Sequence, residues 1–235
     1  MTLAPAEAAQ ALSPQAVPAP GSDCTAAFRA AYENRYTWDP GFPGYRGRCV
    51  WEQEGRHVEG SFRVAADLKA SVEGIEDEEV TKAIASQLWE VAIHRVRRSF
   101  EQTHGANTFT AGDTDAVGTE VLVGGKGEGD RYRIQNNVVT MVHRHIHGTV
   151  VTIFTGSTTD TGSGYLSHTY SSRYADPATG TPRGGTSHFT DTFVPLGDGG
   201  PWVLSERVVE TEAHGDTPAG RQVFRFLDLA TDPGA

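Results

Sequence analysis

Three histidines alternate along one short stretch, TMVHRHIHGTV at residues 140–150: His143, His145 and His147. On an extended strand, side chains two residues apart share a face about 6.5 to 7 Å apart, so two imidazoles can meet on one ion. The first and third rings are about 13 Å apart, too far for one ion, so a further ligand is needed. His168 and His188, near the starts of later strands, are the candidates. The pattern predicts a mononuclear centre for one transition-metal ion: copper, zinc or iron.

The neighbours of these histidines indicate where their side chains point. Val139 and Met141 share the same alternation, which favours a face turned towards the interior. Buried imidazoles then require hydrogen-bond partners or an ion, because an unpaired buried polar group is costly. Two alternatives stay open: a metal-free histidine cluster for catalysis or ligand binding, and a face that is simply solvated.

Three further residues form the predicted catalytic set. Tyr165 and Tyr170 flank His168 and are candidate proton donors or redox-active phenols. Asp191 is a candidate to complete the ligand set or to orient a histidine ring. For each of them a structural role is the alternative.

A basic group near the end of a predicted helix suggests substrate binding. His94, Arg95 and Arg98 prolong one apolar face of that helix and could hold an anionic group, such as a substrate carboxylate, at the mouth of a cavity. Salt bridges at the helix C-terminus are the alternative. Trp38 lies in the aromatic, Pro- and Gly-rich segment TWDPGFPGY and is a fourth candidate, with a plug over the end of a barrel as the alternative.

Composition narrows the class of partner. The 235-residue chain has a net charge of −10, which argues against nucleic acids and anionic membranes because both repel an acidic protein. No apolar run approaches the roughly 20 residues of a membrane span. A small-molecule substrate or ligand is therefore expected, and the oligomeric state is left open. The start of the chain lacks the pattern of a secretory signal, so we expect a cytoplasmic protein with reduced Cys24 and Cys49, a disulfide being the alternative.

The organisation predicted for the chain is a disordered arm (1–21), one domain (22–230) and a disordered tail (231–235). A short helix comes first, a hairpin follows, and residues 77–102 predict one long helix with two apolar faces. Turn-linked strands are expected near 107–111, 118–124, 130–136, 138–147, 149–155, 165–175, 186–195, 202–211 and 220–229. This order predicts an α+β fold: a strongly curved antiparallel sheet, or incomplete barrel, wrapped around the long helix.

Several segments carry a resemblance to a known family. AAYENRYTWDPGFPGY, MVHRHIHGTVVTIF, GYLSHTYSSRYADPATG and FTDTFVPLG resemble a domain-of-unknown-function family of photosynthetic bacteria and plastids, over residues 26–229. The resemblance implies no activity. More distantly, the order of hairpin, helix and meander is similar to the lipoprotein-carrier half-barrel, a likeness of topology that does not fix function.

Two functions from different classes follow from these patterns. The leading hypothesis is a metal-dependent enzyme whose histidine-rich centre acts on a small organic substrate inside a barrel-like cavity. The alternative is a carrier for a hydrophobic or tetrapyrrole, haem-like ligand, with histidines as axial ligands or polar anchors. A third interpretation is a scaffold whose clustered histidines respond to pH.

Overall fold

A twelve-stranded antiparallel sheet forms most of the protein. The computed structural model describes residues 17–232. In chain order the strands are β1 (Tyr45–Gln53), β2 (Arg56–Val64), β3 (Ala70–Glu73), β4 (Asn107–Asp115), β5 (Gly118–Gly125), β6 (Arg131–Gln135), β7 (Val138–Ile146), β8 (Thr149–Asp160), β9 (Tyr165–Ala175), β10 (Ser187–Pro195), β11 (Trp202–Thr211) and β12 (Gly220–Thr231). Their order across the sheet is β3-β2-β1-β12-β11-β10-β9-β8-β7-β6-β5-β4, so β3 and β4 are the two edges and the curved sheet does not close.

Three helices accompany the sheet: α1 (Thr25–Glu33), α2 (Glu78–Arg95) and α3 (Phe100–His104). Asp77 begins α2 because its side chain accepts hydrogen bonds from the backbone N–H groups of Glu79 and Val80. The long helix predicted for 77–102 is in fact two helices. Val96 leaves the helical conformation, and Ser99 starts α3 with a capping box.

The predicted fold is confirmed in its main part, the curved antiparallel sheet with a few helices. The expectation that the sheet wraps one long helix on two sides is not confirmed. Leu88 of α2 is fully buried, whereas Trp89, on the second predicted apolar face, is 54 % exposed. The short strand β3 was not predicted. Residues 1–16 of the predicted disordered arm and 233–235 of the predicted tail lie outside the described residues. Of the described part, Gly21 N–H donates to Ala111 O at 2.7 Å and Thr231 belongs to β12.

Two separate hydrophobic cores lie at the two ends of the sheet. The first packs α2 against β1, β2 and β10–β12, with Ile84, Leu88 and Phe224 at its centre. The second packs α1 and α3 against β4–β7, around Phe28 and Val121.

Both cores lie on the same face of the sheet, which we call the inner face. Directly opposed residues of antiparallel strands carry their side chains on one face, and residues two apart along a strand share a face. The pairs that trace this face from one core to the other are Phe224–Arg207, Arg207–Asp191, Phe189–Tyr170, Tyr174–Val151, Val151–Arg144 and Val142–Tyr132.

None of the helices among residues 17–232 combines the length and the apolar character needed to cross a bilayer.

Candidate functional site

The histidines of β7 lie on the outer face. Arg144 is opposite Val151 on the inner face, so its neighbours His143 and His145 point to the other side of the sheet. His147 lies beyond the strand, in the turn to β8, with a left-handed φ of 49°. The expectation that this row of histidines faces the interior is therefore wrong.

A β-bulge explains the error. Met141 pairs with Arg133, but the next pair joins Val139 to Ile134, so Thr140 is an extra residue in β7. The bulge reverses the alternation of side chains at this point. Val139 consequently belongs to the second core, while every odd-numbered residue that follows it in β7 faces outward.

The predicted metal site is not assembled. His143 Nδ1 contacts Thr152 Oγ1 at 2.9 Å, and His145 contacts Asp130 through its backbone N–H at 2.9 Å. His188 also faces outward, but it lies on β10, three strands from β7, and contacts Glu212 at 3.1 Å.

His168 lies on the opposite, inner face, where its Nδ1 contacts the backbone oxygen of Asp191 at 2.7 Å. The sheet itself thus separates the predicted ligands. Within residues 17–232, no group of three or more His, Cys, Asp or Glu side chains is placed to hold a metal ion. The predictions of a metal-binding histidine cluster and of a copper or zinc metalloenzyme are therefore wrong.

A buried polar network joins α2 to the inner face. Arg207, 2 % exposed, donates to Asp191 Oδ1 at 2.7 Å and Oδ2 at 2.6 Å in a bidentate ion pair. Its other contacts are with Tyr170 OH at 2.7 Å and with Gln87 Oε1 of α2 at 2.9 Å, while Glu90 lies 3.4 Å away. Burial opposes the charge of Arg207, but the Asp191 carboxylate outweighs it and raises the pKa of the guanidinium.

This network gives Tyr170 and Asp191 a structural role, since it fixes the position of α2 over the sheet. Burial raises the pKa of Tyr170 far above its usual value, and the phenol both accepts from Arg207 and donates to Asp191. Tyr165 is also buried, and its hydroxyl accepts a hydrogen bond from the backbone N–H of Val139 at 3.1 Å. The catalytic role of the three residues stays a prediction.

A strip of apolar side chains on the inner face belongs to neither core. Val151 and Ile153 of β8 lie in this strip, next to Ile146 of β7 and Tyr174 of β9. Ile146 is 40 % and Tyr174 is 47 % exposed. Val151 is buried and Ile153 is half-buried, so Ile146 and Tyr174 supply most of the exposed apolar surface of this strip, between the two helix-covered ends.

A basic group lies near the start of β9, at the opposite end of that strand from the apolar strip. Residues 34–38 cross from the second core to the first, between the start of β9 and the end of α2. Tyr36 N–H donates to Tyr165 O at 2.9 Å, and Trp38 N–H donates to Arg95 O at 2.8 Å. Arg35 on this crossing and Arg95 at the end of α2 are both half-buried.

His94 lies beside Arg95 in this region, which we call the recess. Desolvation by the surrounding protein, and next the charges of Arg95 and Arg35, lower the pKa of its ring to about 4.

The other two predicted substrate-binding residues lie elsewhere. Trp38 is buried in the first core, stacked on Phe42 with ring centroids 3.9 Å apart, and its indole N–H donates to the backbone oxygen of Trp202. Arg98 is exposed and follows the end of α2. The salt bridges considered as the alternative for His94, Arg95 and Arg98 are not formed among residues 17–232. The two cysteines are free and lie in different cores, Cys24 in the second and Cys49 in the first.

Sequence patterns did not reveal Arg35 and Arg207 as residues of the inner face. Arg207 lies on the same face of β11 as Val209, where an apolar residue is expected, and only the pairing with Asp191 shows that its charge is buried. Arg35 lies in a loop, where periodicity gives no signal.

The fold and the site define a class: an open, curved antiparallel sheet whose inner face has an uncovered apolar strip between two helix-covered cores. The chain belongs to the family DUF3386, described as proteins of unknown function, which it matches over residues 19–231. The predicted resemblance to a family of unknown function is thereby confirmed.

Two solved structures are similar to the chain. One is a LolA superfamily protein from Nitrosomonas europaea, with 9 % identity and a TM-score of 0.34, covering 91 % of this chain and 96 % of that one. The other is a DUF1329 family protein from Desulfovibrio piger, with 9 % identity and a TM-score of 0.27, covering 91 % and 95 %. Values this low describe a distant likeness and carry no information about ligand or activity. No curated protein matches the sequence.

Proposed function

We propose that the chain is a binding or carrier protein for a small hydrophobic ligand, which lies against the inner face between the two cores. The observation that carries the proposal is the apolar strip, formed by Val151, Ile153, Ile146 and Tyr174 outside both cores. Apolar side chains that line a concave, uncovered surface are typical of ligand sites.

The energetics favour an apolar occupant. Removing apolar surface from water contributes about 25 cal/mol per Å² to the free energy of binding, so a ligand that covers the exposed side chains of Ile146 and Tyr174 binds more tightly. The histidines predicted as axial ligands of a tetrapyrrole include His143 and His145, which face outward. The proposed ligand is therefore a hydrophobic molecule that is not coordinated by these histidines.

Two adjacent residues of β8 provide a matched test. Ile153 and Phe154 are both half-buried, but Ile153 faces inward, opposite Val142, and Phe154 faces outward, opposite Met141. We expect the apolar fluorophore N-phenylnaphthylamine to bind the wild type. We expect Ile153→Gln to weaken this binding by about five-fold, because a buried amide loses roughly 1 kcal/mol or more against an apolar ligand.

The control is Phe154→Gln, which should leave binding of the fluorophore unchanged because its side chain is on the far side of the sheet. Failure of the wild type to bind, or an equal loss in both variants, would reject the inner face as the site.

A further inference from the structure

Arg35 and Arg95 lack the carboxylate partners that most other arginines of this acidic chain have. Neither forms an ion pair among residues 17–232, whereas buried Arg207 and half-exposed Arg144 each contact an aspartate. Two guanidinium groups without a carboxylate partner leave a local excess of positive charge that favours an anion.

Both guanidinium groups also have N–H donors without a protein partner, which a bound anion could occupy. Arg35 uses Nε to donate to Tyr32 O at 2.9 Å and lies 3.8 Å above the Tyr32 ring, which leaves both terminal nitrogens without a protein partner in the described chain. Arg95 donates through Nη1 to the backbone oxygen of Tyr36 at 3.0 Å, and its Nε is buried without a partner. A guanidinium has five N–H donors, so most of those in this recess are unused.

Backbone contacts place the two arginines near each other, because Arg95 donates to the backbone oxygen of Tyr36, the neighbour of Arg35, and Trp38 N–H donates to Arg95 O. The pKa of Arg95 falls to about 10, first through burial and next through the charge of Arg35. Both arginines also lower the pKa of His94, which is therefore neutral at pH 7 and adds no further positive charge. A bound anion would relieve the repulsion and would satisfy the free N–H groups.

We propose that the ligand of the inner face is an amphipathic anion, a long apolar chain ending in a carboxylate or phosphate that Arg35 and Arg95 bind. This inference rests on the proposed function and adds the chemical class of the ligand. The anionic group lies where residues 34–38 meet the start of β9, and the apolar chain runs along β8 and β9 towards Ile153 and Val151.

The dimensions agree with a long chain. Tyr165 lies beside the crossing segment, and Ser172 of the same strand is opposite Ile153. Seven residues of strand separate them, a length of about 23 Å. A ligand that reaches both the arginines and the apolar strip therefore needs an extended apolar chain.

The test compares amphiphiles that share one chain of eighteen carbons, long enough for this distance, and differ at the end group: octadecanoate, octadecyl phosphate, octadecanol and octadecyltrimethylammonium. Each is titrated against N-phenylnaphthylamine bound to the full-length protein, below its solubility limit. We expect the two anions to bind at least about ten-fold more tightly than the alcohol and the cation. Comparison of octadecanoate with octadecyl phosphate shows which anionic group is preferred.

Two charge-removing variants and one control locate the effect. Arg35→Gln and Arg95→Gln should each weaken binding of the preferred anion by about ten-fold and leave binding of octadecanol unchanged. Arg46→Gln removes the same charge at an exposed position without an ion pair, and it should change neither. If Arg95→Gln fails to fold, the result for Arg35→Gln tests the proposal by itself. The side chain of Arg35 contacts only Tyr32, at the edge of the recess, so we expect this variant to fold.

The outcomes separate this inference from the proposed function. Equal binding of anion, alcohol and cation, or an equal loss in Arg46→Gln and Arg35→Gln, would overturn the anionic ligand while the hydrophobic site stands. Absence of binding by every amphiphile and by the fluorophore would overturn both.

Discussion

Asp191→Ala tests whether the buried network holds α2 on the inner face. The substitution removes the acceptor of two short hydrogen bonds from Arg207, 2.7 and 2.6 Å long, and of a weaker one from Tyr170. The Arg207 guanidinium then stays buried, with only Gln87 and the more distant Glu90 as partners in α2. Removing one member of a buried ion pair costs about 3 to 5 kcal/mol, so we expect the free energy of unfolding to fall by that amount.

Glu206→Ala is the matched control for this prediction. Glu206 is the neighbour of Arg207 in β11, but its ion pair with Arg225 is partly exposed, and Arg225 keeps Glu52 as a partner, so we expect a loss of about 1 kcal/mol or less. Urea unfolding followed by circular dichroism measures both variants.

The double variant Asp191→Ala/Arg207→Met should recover most of the loss, because it removes the uncompensated charge. A loss below about 1 kcal/mol for Asp191→Ala, or a double variant no more stable than the single one, would show that the network does not anchor the helix.

Three further predictions follow from burial. The pKa of buried His104 is lowered from 6.5 to about 4, first by burial and next by Arg144, so the stability that its neutral ring contributes is complete above pH 6.5 and is lost as the pH falls towards 4. His104→Gln should therefore reduce the dependence of the unfolding free energy on pH over that range, and an unchanged slope would contradict this prediction. Burial raises the pKa of the Cys24 and Cys49 thiols to about 11, so both should resist a thiol reagent in the folded protein and react after unfolding. Fast labelling without denaturant would be inconsistent with their buried positions. Leu88→Ala should lower the free energy of unfolding by about 2 to 5 kcal/mol, and Trp89→Ser should lower it by less than about 0.5 kcal/mol, because Leu88 is buried and Trp89 is exposed. A reversed order in urea unfolding would mean that α2 packs through its other face.

The strands were the most predictable part of the chain. Their alternation and their Gly-rich turns depend on local sequence, and the starts of β9 and β11 agree with the predicted positions. The end of α2 was not predictable in the same way, because Val96 and Arg97 have no strong helix-breaking tendency. Ser99 supplies the capping box that starts a new helix, and the backbone bridge from Trp38 to Val96 holds the break.

The candidate site was predicted less well, for a physical reason. One extra residue, Thr140, reverses the face on which each later side chain of β7 lies, and a bulge leaves no clear mark in an alternating sequence. The histidines were therefore assigned to the wrong side. His94 and Arg95 were singled out from their position on the helix, but Arg35 entered the recess only through the long-range contact of residues 34–38 with β9.

Intermolecular nuclear Overhauser effects between bound octadecanoate and selectively methyl-labelled protein test the central claim most directly. If the ligand lies on the inner face, the chain protons will show contacts with the methyl groups of Val142, Val151 and Ile153. Contacts with Met141 on the outer face, in place of those three, would contradict it.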